Sequence, residues 1–577
     1  DRSVSRGLGD VYKRQCLMLA AMPVMAAYTG HVYVDKNKNG VFDQSEKPLA
    51  GIKVSDGLNV VETAADGSFT LPGHERERFI FITTPSGYKT FNRHYHKIEK
   101  KQSGYDFGLI PYSGRIRKDG SHRYIHITDT EIFNTENHAD WVNNVHDYAR
   151  NEQAAFIIHT GDLCYEKGLK AHIKLMNTEN MDCPVFYCIG NHDLVKGKYG
   201  EELFESIYGP VYYSFDAGNV HYVVTPMPGG DHAPGYTSDD VCRWLKNDLA
   251  HIRPGTPVVV FNHDLLTYED TFIFKSKNAG SINLNEYNLK AWVYGHWHIN
   301  YMKKQGDVYS VCTSSLDKGG IDHSTTAFRV MHVDSKGDFT SELRYTYLDK
   351  NICIASPAGV MASGVLPVAV NVYSSVSPVR EVLYTCLADG KPVLKNKRLL
   401  QSTDWSWNGE LPLSHKYVGK ELTLRVTARF NNGEIAEAES NFICRTEKTV
   451  PLFSADWDNL SGNAKHSAPV SAPLNLPLQL AWTNNVGANL YMTSPLIHKG
   501  KVIVASVDED LKGAGHVYAL NGKDGTILWS CPVRNSIKNS IAVDSDIVFA
   551  QDAQGFLYAI DTETGKLCWE KQLPVNG

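Results

Sequence analysis

The amino-acid sequence predicts a multidomain protein built around a central α/β domain. Five polar motifs in the middle of the chain each follow a hydrophobic, strand-like run, and segments of helical periodicity lie between them. On both sides, short alternating runs are broken by Gly, Pro and Asp, which is typical of all-β modules. At 577 residues the chain is long enough for three or four domains. We therefore expect layered mixed β-sheets flanked by helices in the centre, all-β modules on both sides, and a partial β-propeller at the end.

The five motifs supply carboxylates, imidazoles and an amide, with no thiolate. They are Asp129-Thr130-Glu131, Gly161-Asp162, Gly190-Asn191-His192-Asp193, Asn262-His263 and Gly295-His296-Trp297-His298. The strand-like runs before them cover 124–128, 156–160, 185–189, 258–261 and 291–294. Because loops at the carboxyl ends of strands in an open α/β sheet converge on one crevice, we expect these side chains to meet. Oxygen and nitrogen ligands of this kind suit Mn, Fe, Zn or Mg.

The segments between the motifs predict the scaffold of this domain. Helices are expected over 140–150 and 238–252, where apolar residues recur at helical spacing. The second helix has acidic residues in its first turn, which favours a helix start at that point. A strand pair is expected over 211–215 and 220–225, with its turn at 216–219.

The order of the motifs resembles the calcineurin-like metallophosphoesterases, whose sequences read D-x-H, G-D, G-N-H-D/E, a lone His and G-H-x-H. The resemblance covers roughly residues 113–350. In two-metal sites of this kind, ions about 3.5–4 Å apart clamp a phosphoryl group, and a bridging hydroxide attacks phosphorus in line. The resemblance implies that Asp162 bridges both metals. The remaining ligands would be Asp129 and His298 on metal one, and Asn191, His263 and His296 on metal two.

His192 and Asp193 are expected to serve catalysis without binding metal. His192 would hydrogen-bond the phosphoryl oxygens or protonate the leaving alkoxide, and Asp193 would orient its ring. The alternative for His192 is a residue that caps the loop. His323 follows the last motif in a Gly-rich loop and is a substrate-side candidate, with an ordinary surface histidine as the alternative.

Glu131 departs from the family pattern because it stands where D-x-H has histidine. If the Glu131 carboxylate binds metal one, it would shift the preference of that site towards Mg, Mn or Fe. Alternatively it faces solvent and leaves metal one short of a ligand. Gly161 to Tyr165 also fits the G-D-x-x-Y motif of purple acid phosphatases, in which Tyr binds ferric iron. Tyr165 is therefore either a replacement for the missing imidazole or a packing residue beside the site.

The first 27 residues are treated apart from the fold. Residues 16–27 form an apolar run that ends in small residues, like the second half of a secretory signal. Residues 10–15 can be back-translated to a sequence that resembles a transposon adapter, so we interpret 1–15 as an assembly artefact. This interpretation would fail if the original genome encoded the same start. Export to a bacterial periplasm or cell surface is the expectation.

Residues 28–112 predict a small β-sandwich with a candidate calcium loop. The loop matches D-x-N-x-N-G-x₅-E, in which Gly40 supplies the sharp turn. Its ligands would be Asp35, Asn37, Asn39, the carbonyl of Val41, and Glu46. No helix precedes it, so it is not an EF-hand. It resembles calcium loops of bacterial surface sandwiches and the N-terminal module of some calcineurin-like phosphoesterases; a turn without metal is the alternative.

Two further all-β regions follow the central domain. Residues 351–448 alternate like an immunoglobulin-like sandwich, with a hairpin turn at 431–433. Residues 449–577 contain a repeat of period 40, in which 515–529 aligns with 555–569. The repeat resembles pyrroloquinoline-quinone-type propeller blades, although it does not by itself indicate that cofactor. A propeller needs about four to eight blades, so we expect these two blades to belong to a longer natural protein.

Composition limits the function classes. The formal net charge is −6, and no Lys/Arg block indicates a nucleic-acid partner. No apolar run is long enough to span a bilayer. The cysteines form no C-x-x-C motif, and the one disulfide that we consider from the sequence joins Cys353 to Cys444.

Two functional classes are left. The first is an exported phosphodiesterase or phosphomonoesterase with two metal ions (Mn, Fe or Zn), acting on a phosphoester small molecule or a cell-envelope substrate. The second is a catalytically impaired surface binding protein that uses the propeller and β modules. Only Glu131 favours the second class, whereas the retained motif residues favour the first. The oligomeric state is left open.

Overall fold

The computed structural model describes residues 27–102, 104–446, 456–467, 480–491 and 493–574. The segments interpreted as an assembly artefact and a secretory signal, residues 1–27, lie outside the described residues apart from Ala27. In the part of the chain that the structure describes, no helix has both the length and the apolar character needed to cross a membrane.

Two small sheets form the N-terminal module. The strands are β1 (Tyr28–Val34), β2 (Lys47–Pro48), β3 (Lys53–Ser55), β4 (Val60–Glu62), β5 (Ser68–Leu71), β6 (Phe79–Ile82), β7 (Tyr88–Thr90), β8 (Tyr95–Lys97) and β9 (Phe107–Pro111). One sheet has the order β2-β1-β9-β7, with β5 on β1, and the other has the order β4-β3-β6-β8. Val32, Val54, Ile80 and Phe107 fill the core between them. The predicted all-β character of this region is confirmed.

The central domain consists of two larger mixed sheets. Its strands are β10 (His122–Ile127), β11 (Phe156–His159), β12 (Val185–Tyr187), β13 (Tyr213–Ala217), β14 (Val220–Val224), β15 (Val258–Phe261), β16 (Ile273–Lys275), β17 (Ser281–Asn283), β18 (Leu289–Tyr294), β19 (Tyr301–Gln305), β20 (Val308–Cys312), β21 (Ala327–Val333) and β22 (Phe339–Tyr345). The sheets run β12-β11-β10-β21-β22 and β13-β14-β15-β18-β20-β19, while β16 and β17 pair separately. Phe156 of the first sheet packs edge-on against Tyr222 of the second, with ring centroids 4.9 Å apart. The parallel strands β10, β11, β15 and β18 therefore bring their carboxyl ends to one edge of this sandwich.

Helices flank these sheets. They are α1 (Ala139–Asn151), α2 (Tyr165–Leu175), α3 (Glu202–Tyr208) and α4 (Ser238–Ala250). Trp141, Val145 and Tyr148 of α1 are fully buried, as their helical spacing predicts. Helix α4 begins at a capping box, in which the Thr237 hydroxyl accepts a hydrogen bond from the Asp240 amide at 3.2 Å.

An immunoglobulin-like pair of sheets follows. Its strands are β23 (Asn351–Ser356), β24 (Gly359–Ala362), β25 (Val365–Tyr373), β26 (Val379–Ala388), β27 (Lys391–Arg398), β28 (Leu400–Gln401), β29 (Ser406–Pro412), β30 (Glu421–Phe430) and β31 (Ile435–Arg445). The sheets have the orders β23-β25-β29-β28 and β24-β31-β30-β26-β27. The predicted hairpin turn at 431–433 joins β30 to β31. Cys353 and Cys444 are both free, so the pairing considered from the sequence is absent.

Two four-stranded antiparallel blades close the described chain. Their strands are β32 (Leu496–His498), β33 (Lys501–Ala505), β34 (His516–Asn521), β35 (Ile527–Pro532), β36 (Ala542–Asp544), β37 (Ile547–Gln551), β38 (Phe556–Asp561) and β39 (Leu567–Gln572). Gly525 and Gly565 adopt positive φ, and the rings of Trp482 and Trp529 respectively cover them. Since only glycine fits under each indole, the Trp–Gly contact accounts for the 40-residue repeat.

Candidate metal centre

The predicted ligand residues stand on loops directly after the strands, and several have left-handed backbone. The φ values are 50° at Asp129, 43° at Glu131, 58° at Asp162, 63° at His296 and 50° at His298. Non-glycine residues rarely adopt this region, and such conformations cluster at functional sites. The strained turns direct each side chain away from its strand and into the crevice.

Two glycines allow the loops to approach each other. A Cβ atom at Gly190 would collide with the Asp162 carboxylate, and one at Gly295 would collide with Thr128 and with Asp129. The glycines of the G-N-H-D and G-H-W-H motifs are therefore required for close approach of the ligand loops.

One half of the site is formed by Asp162, Asn191, His263 and His296. The Nε2 atom of His263 lies 3.1 Å from Oδ2 of Asp162 and 3.1 Å from Oδ1 of Asn191. Its Nδ1 atom lies 2.7 Å from the Thr160 carbonyl, which leaves Nε2 directed at the other ligands. Burial opposes protonation, but the charge of Asp162 prevails and raises the pKa of His263 to about 10. The His263 imidazole is therefore paired electrostatically with the Asp162 carboxylate.

The other half contains Asp129 and His298. The Nε2 atom of His298 lies 3.3 Å from Oδ1 of Asp129, and this contact raises the pKa of His298. The Oδ2 atom of Asp129 accepts hydrogen bonds from the Thr128 hydroxyl at 2.7 Å and the His296 amide at 3.0 Å. Oδ1 is buried and accepts no well-formed hydrogen bond, and its polar neighbours are Nε2 of His298 at 3.3 Å and Nε2 of His263 at 3.9 Å. A buried carboxylate oxygen that faces two imidazole nitrogens fits a cation held between them.

These donors fit metal ions. The ligand atoms of Asp162, His263 and His296 lie within 4.8 Å of one another, and so do those of Glu131, Asp162 and Cys164. Two ligands of one ion at ordinary bond lengths lie about 3–3.5 Å apart, which matches the spacings at His263 and His298. Asp162 therefore lies near His263 and His296 on one side and near Glu131 on the other, which is the position that a bridging carboxylate needs. Burial, followed by the charge of Asp162, raises the pKa of the Cys164 thiol, which makes it a poor metal ligand.

Glu131 lies at the site but has a second partner. Its Oε1 atom is 3.6 Å from His298 Nε2, and its Oε2 atom is 2.7 Å from Lys318 Nζ. The Lys318 ammonium also donates to the Glu131 carbonyl at 3.1 Å. Glu131 therefore does not simply face solvent, which was the alternative considered from the sequence. One of its oxygens faces His298, and Lys318 binds the other.

His192 has a different partner from the one that the sequence predicts. Its Nδ1 atom lies 2.8 Å from Oδ2 of Asp231, and the Tyr165 ring packs against it with centroids 5.4 Å apart. Burial lowers the pKa of His192, but the hydrogen bond to Asp231 and the charge of Asp162 give a net rise. Tyr165 is exposed, with its ring beside His192. This placement favours the packing alternative over the metal ligand.

The predicted role of Asp193 is wrong, since it does not orient His192. Asp193 is fully buried and accepts backbone hydrogen bonds from Asp162 at 2.9 Å, Gly190 at 2.9 Å and Cys164 at 3.0 Å. Residues 191–193 form a 3₁₀ turn, in which successive side chains point in different directions. Asp193 therefore ties the loop of Asp162 to the loop of Asn191. Burial and the charge of Asp162 raise its pKa to about 7.

Two predicted candidates lie outside this cluster of ligands. His323 is exposed on the loop after β20, with φ of 63°. In the N-terminal module, Asp35 accepts the amides of Asn39 and Gly40, and Glu46 accepts the amide of Lys36 at 2.9 Å. Gly40 has φ of 73°, as the predicted sharp turn requires. Calcium binding there stays a prediction.

The structure adds Asp231 and Lys318, which sequence reasoning missed. Asp231 lies in the loop 226–237, outside the five motifs. A Cβ at Gly230 would collide with the backbone of Asn191, and the Asp231 amide donates to the Asn191 carbonyl at 3.1 Å. The one sequence signal for the contact between this loop and Asn191 is the Gly229-Gly230 dipeptide directly before Asp231.

Three family models match the chain. The model described as N terminal of calcineurin-like phosphoesterase matches residues 36–111, and the one described as calcineurin-like phosphoesterase matches residues 122–300. A model of the PQQ repeat class, described as outer membrane protein assembly factor BamB, matches residues 479–576.

Relatives agree with the central match. Purple acid phosphatase 13 of Arabidopsis thaliana is 26% identical over 215 residues, which is 35% of this chain and 36% of that protein. The chain thus spans about a third of that relative.

Solved structures resemble only parts of the chain. A conserved uncharacterized protein from Streptococcus pneumoniae, described as a predicted phosphoesterase, aligns over 39% of this chain and 90% of its own, with 12% identity and a TM-score of 0.20. BamB from Moraxella catarrhalis aligns over 42% and 58%, with 12% identity and a TM-score of 0.13. From the family models, this chain contains an N-terminal domain, over residues 36–111, and a catalytic domain, over residues 122–300, of the calcineurin-like phosphoesterase type.

Proposed function

We propose that this protein is an exported phosphoesterase with two metal ions, which hydrolyses phosphodiester or phosphomonoester substrates. The observation that carries the proposal is the position of the Asp162 carboxylate, which lies within 4.8 Å of the ligand atoms of His263 and His296 and also of that of Glu131. The buried Oδ1 of Asp129, which faces the imidazole of His298 at 3.3 Å, supports it. Metal one would be held by Asp129, Asp162, His298 and Glu131, and metal two by Asp162, Asn191, His263 and His296.

The residues of the chain define the course of the reaction. When bound, two ions would polarise the phosphoryl oxygens and provide the nucleophile from water. His192 is one-third exposed at the edge of the site, and its Nδ1 is engaged by Asp231. Its Nε2 is therefore the ring nitrogen available to donate a proton to the leaving oxygen. General acid help of this kind contributes about 10²–10⁴ in rate.

The export part of the proposal rests on the apolar stretch 16–27 of the sequence. The BamB-type match is compatible with an extracellular or periplasmic protein. Mn, Fe and Zn are the candidate ions, because the ligand set mixes carboxylates with imidazoles.

A metal-reconstitution assay tests the proposed activity. The full chain is stripped with chelator, reloaded separately with Mn, Zn and Fe, and assayed on bis-p-nitrophenyl phosphate and p-nitrophenyl phosphate. Asn191→Ala should lose the metal-dependent turnover, whereas the control Asn441→Ala, an exposed asparagine on β31, should retain it. The ratio of the two substrates separates diesterase from monoesterase. A folded, metal-loaded chain without turnover would instead favour the surface binding protein.

A further inference from the structure

The exposed apolar side chains of the central domain are confined to the surroundings of the metal centre. From β10 to the end of β22, residues 122–345, the large hydrophobic side chains that are exposed are Phe133, Tyr165, Tyr268 and Ile321. Ile321, at 76%, is the most exposed of them. Tyr347 and Leu348, also exposed, already belong to the connection that leaves this domain.

Two of these side chains border the metal-one side and the acid. Phe133 follows Glu131 by two residues in the same loop. Tyr165 begins helix α2, three residues after Asp162, and its ring packs on His192. An organic group that leaves from phosphorus next to His192 would therefore pass directly over Tyr165.

The other two border the last motif. Tyr268 stacks on Trp297, which stands between His296 and His298, with ring centroids 5.9 Å apart. The Ile321 amide donates to the His298 carbonyl at 2.9 Å, so the isoleucine lies on the loop that packs on this ligand. Phe133, Tyr165 and Ile321 are thus each joined by backbone or by one contact to a candidate metal ligand or to His192, and Tyr268 is joined to the ligands His296 and His298 through Trp297.

Fixed backbone holds two of these apolar side chains out towards solvent. Buried Gln305 donates to the carbonyls of Thr267 at 3.1 Å and Glu269 at 2.8 Å, on both sides of Tyr268. The neighbour of Ile321, Asp322, accepts a hydrogen bond at 2.7 Å from Lys538, in the connection between the two blades. Both loops are thus tied to buried or distant groups beside their exposed apolar side chains.

A polar metal centre within an exposed apolar rim matches an amphipathic ligand. Exposed apolar side chains gathered around a site favour binding of an apolar group there. Ile321 and Phe133 have no hydrogen-bonding atom for a sugar or a base, whereas they can cover a hydrocarbon chain. Tyr165 and Tyr268 each pack one ring contact against His192 and Trp297 and are otherwise exposed. The purely hydrocarbon side chains of Phe133 and Ile321 are therefore the part of the rim that favours an alkyl chain over a nucleoside.

We propose that the substrates are amphipathic phosphoesters, in which the phosphate is joined to a long alkyl or acyl chain that lies across Phe133, Tyr165, Tyr268 and Ile321. This inference rests on the proposed phosphoesterase function and specifies its substrate class.

The test compares organic groups on a constant phosphate. Methyl, decyl and thymidine 5′ groups are offered both as p-nitrophenyl diesters and as monoesters, so that the comparison is available in whichever class is hydrolysed. For the metal-loaded full chain, kcat/KM should be at least about tenfold higher for decyl than for methyl, equivalent to about 1.4 kcal/mol of transition-state binding. Ile321→Ser and Phe133→Ser should each lower the decyl-to-methyl ratio several-fold. The matched control Leu400→Ser, 72% exposed in the immunoglobulin-like module, should leave the ratio unchanged.

The outcomes separate the two proposals. Equal kcat/KM for methyl and decyl, or a preference for thymidine, would overturn the amphipathic substrate and leave the phosphoesterase function in place. A decyl preference that survives both rim substitutions would also overturn it. Absence of turnover on all six compounds would overturn the proposed function, and this inference with it.

Discussion

Replacement of Asp193 by asparagine tests whether this carboxylate holds the ligand loops together. Its Oδ2 accepts the amides of Asp162 and Gly190, and its Oδ1 accepts that of Cys164. In either orientation, the NH₂ group of asparagine would face at least one of these N–H donors. A buried donor without a partner costs about 1–3 kcal/mol, and 2 kcal/mol corresponds to about 30-fold in a dissociation constant.

The assay for Asp193→Asn is competition for metal against a chromogenic chelator, with thermal unfolding measured in parallel. We expect weaker metal binding by about 30-fold. The melting temperature should change less, because removing a buried charge beside Asp162 offsets part of the cost of the unpaired donor. Asp119→Asn, which changes an exposed turn carboxylate bonded to Ser121, is the control. If Asp193→Asn keeps its metal affinity and stability but loses kcat, the carboxylate acts through His192, and the reasoning from the structure is refuted.

Four further predictions concern single contacts. Asp231→Asn should lower kcat about tenfold or more for alkyl leaving groups but little for p-nitrophenol, which leaves without a proton; equal losses would contradict the role of His192. Metal binding must displace the proton that His263 holds with a pKa of about 10, so log affinity should rise by about one per pH unit between pH 6 and 8, and calorimetry showing no proton release would contradict this. Buried His221 lies between Asp216 and Asp248, whose charges overcome burial and raise its pKa to about 9. Protonated His221 should add about 3 kcal/mol to the free energy of unfolding. This contribution should be complete below pH 6.5 and be lost as the pH rises through 9. Unfolding curves of His221→Gln measured over the same pH range should lack it. Lys318→Met should tighten metal binding several-fold in chelator competition, because the ammonium at 2.7 Å competes for Glu131; unchanged or weaker binding would mean that Glu131 is no ligand.

The scaffold of the site was predictable because its determinants are local. The hydrophobic runs before the motifs became β10, β11, β12, β15 and β18, and each strand ends at or shortly before its motif. Because the carboxyl ends of parallel strands share one edge, the motif order alone predicts which ligands converge. The helices α1 and α4 follow their apolar spacing to within two residues at either end.

Contacts between distant loops were not predictable from the sequence. Asp231 meets His192 across 39 residues, and Lys318 meets Glu131 across 187. Both depend on loop shapes that no periodicity encodes. The error at Asp193 has a local cause, because adjacency in sequence suggested a contact that a 3₁₀ turn forbids. The exposure of Ile321 depends on Lys538, which belongs to a different module.

The most direct test of the central claim is the number of metal equivalents at which turnover saturates. The stripped full chain is titrated with Mn or Zn while hydrolysis and bound metal are followed together, and Asp162→Asn is titrated in parallel. Turnover should saturate at two equivalents per chain and be lost in Asp162→Asn, because this carboxylate lies within 4.8 Å of the ligand atoms of His263 and His296 and also of that of Glu131. Full activity at one equivalent, or an active Asp162→Asn variant, would contradict a bridged two-metal centre.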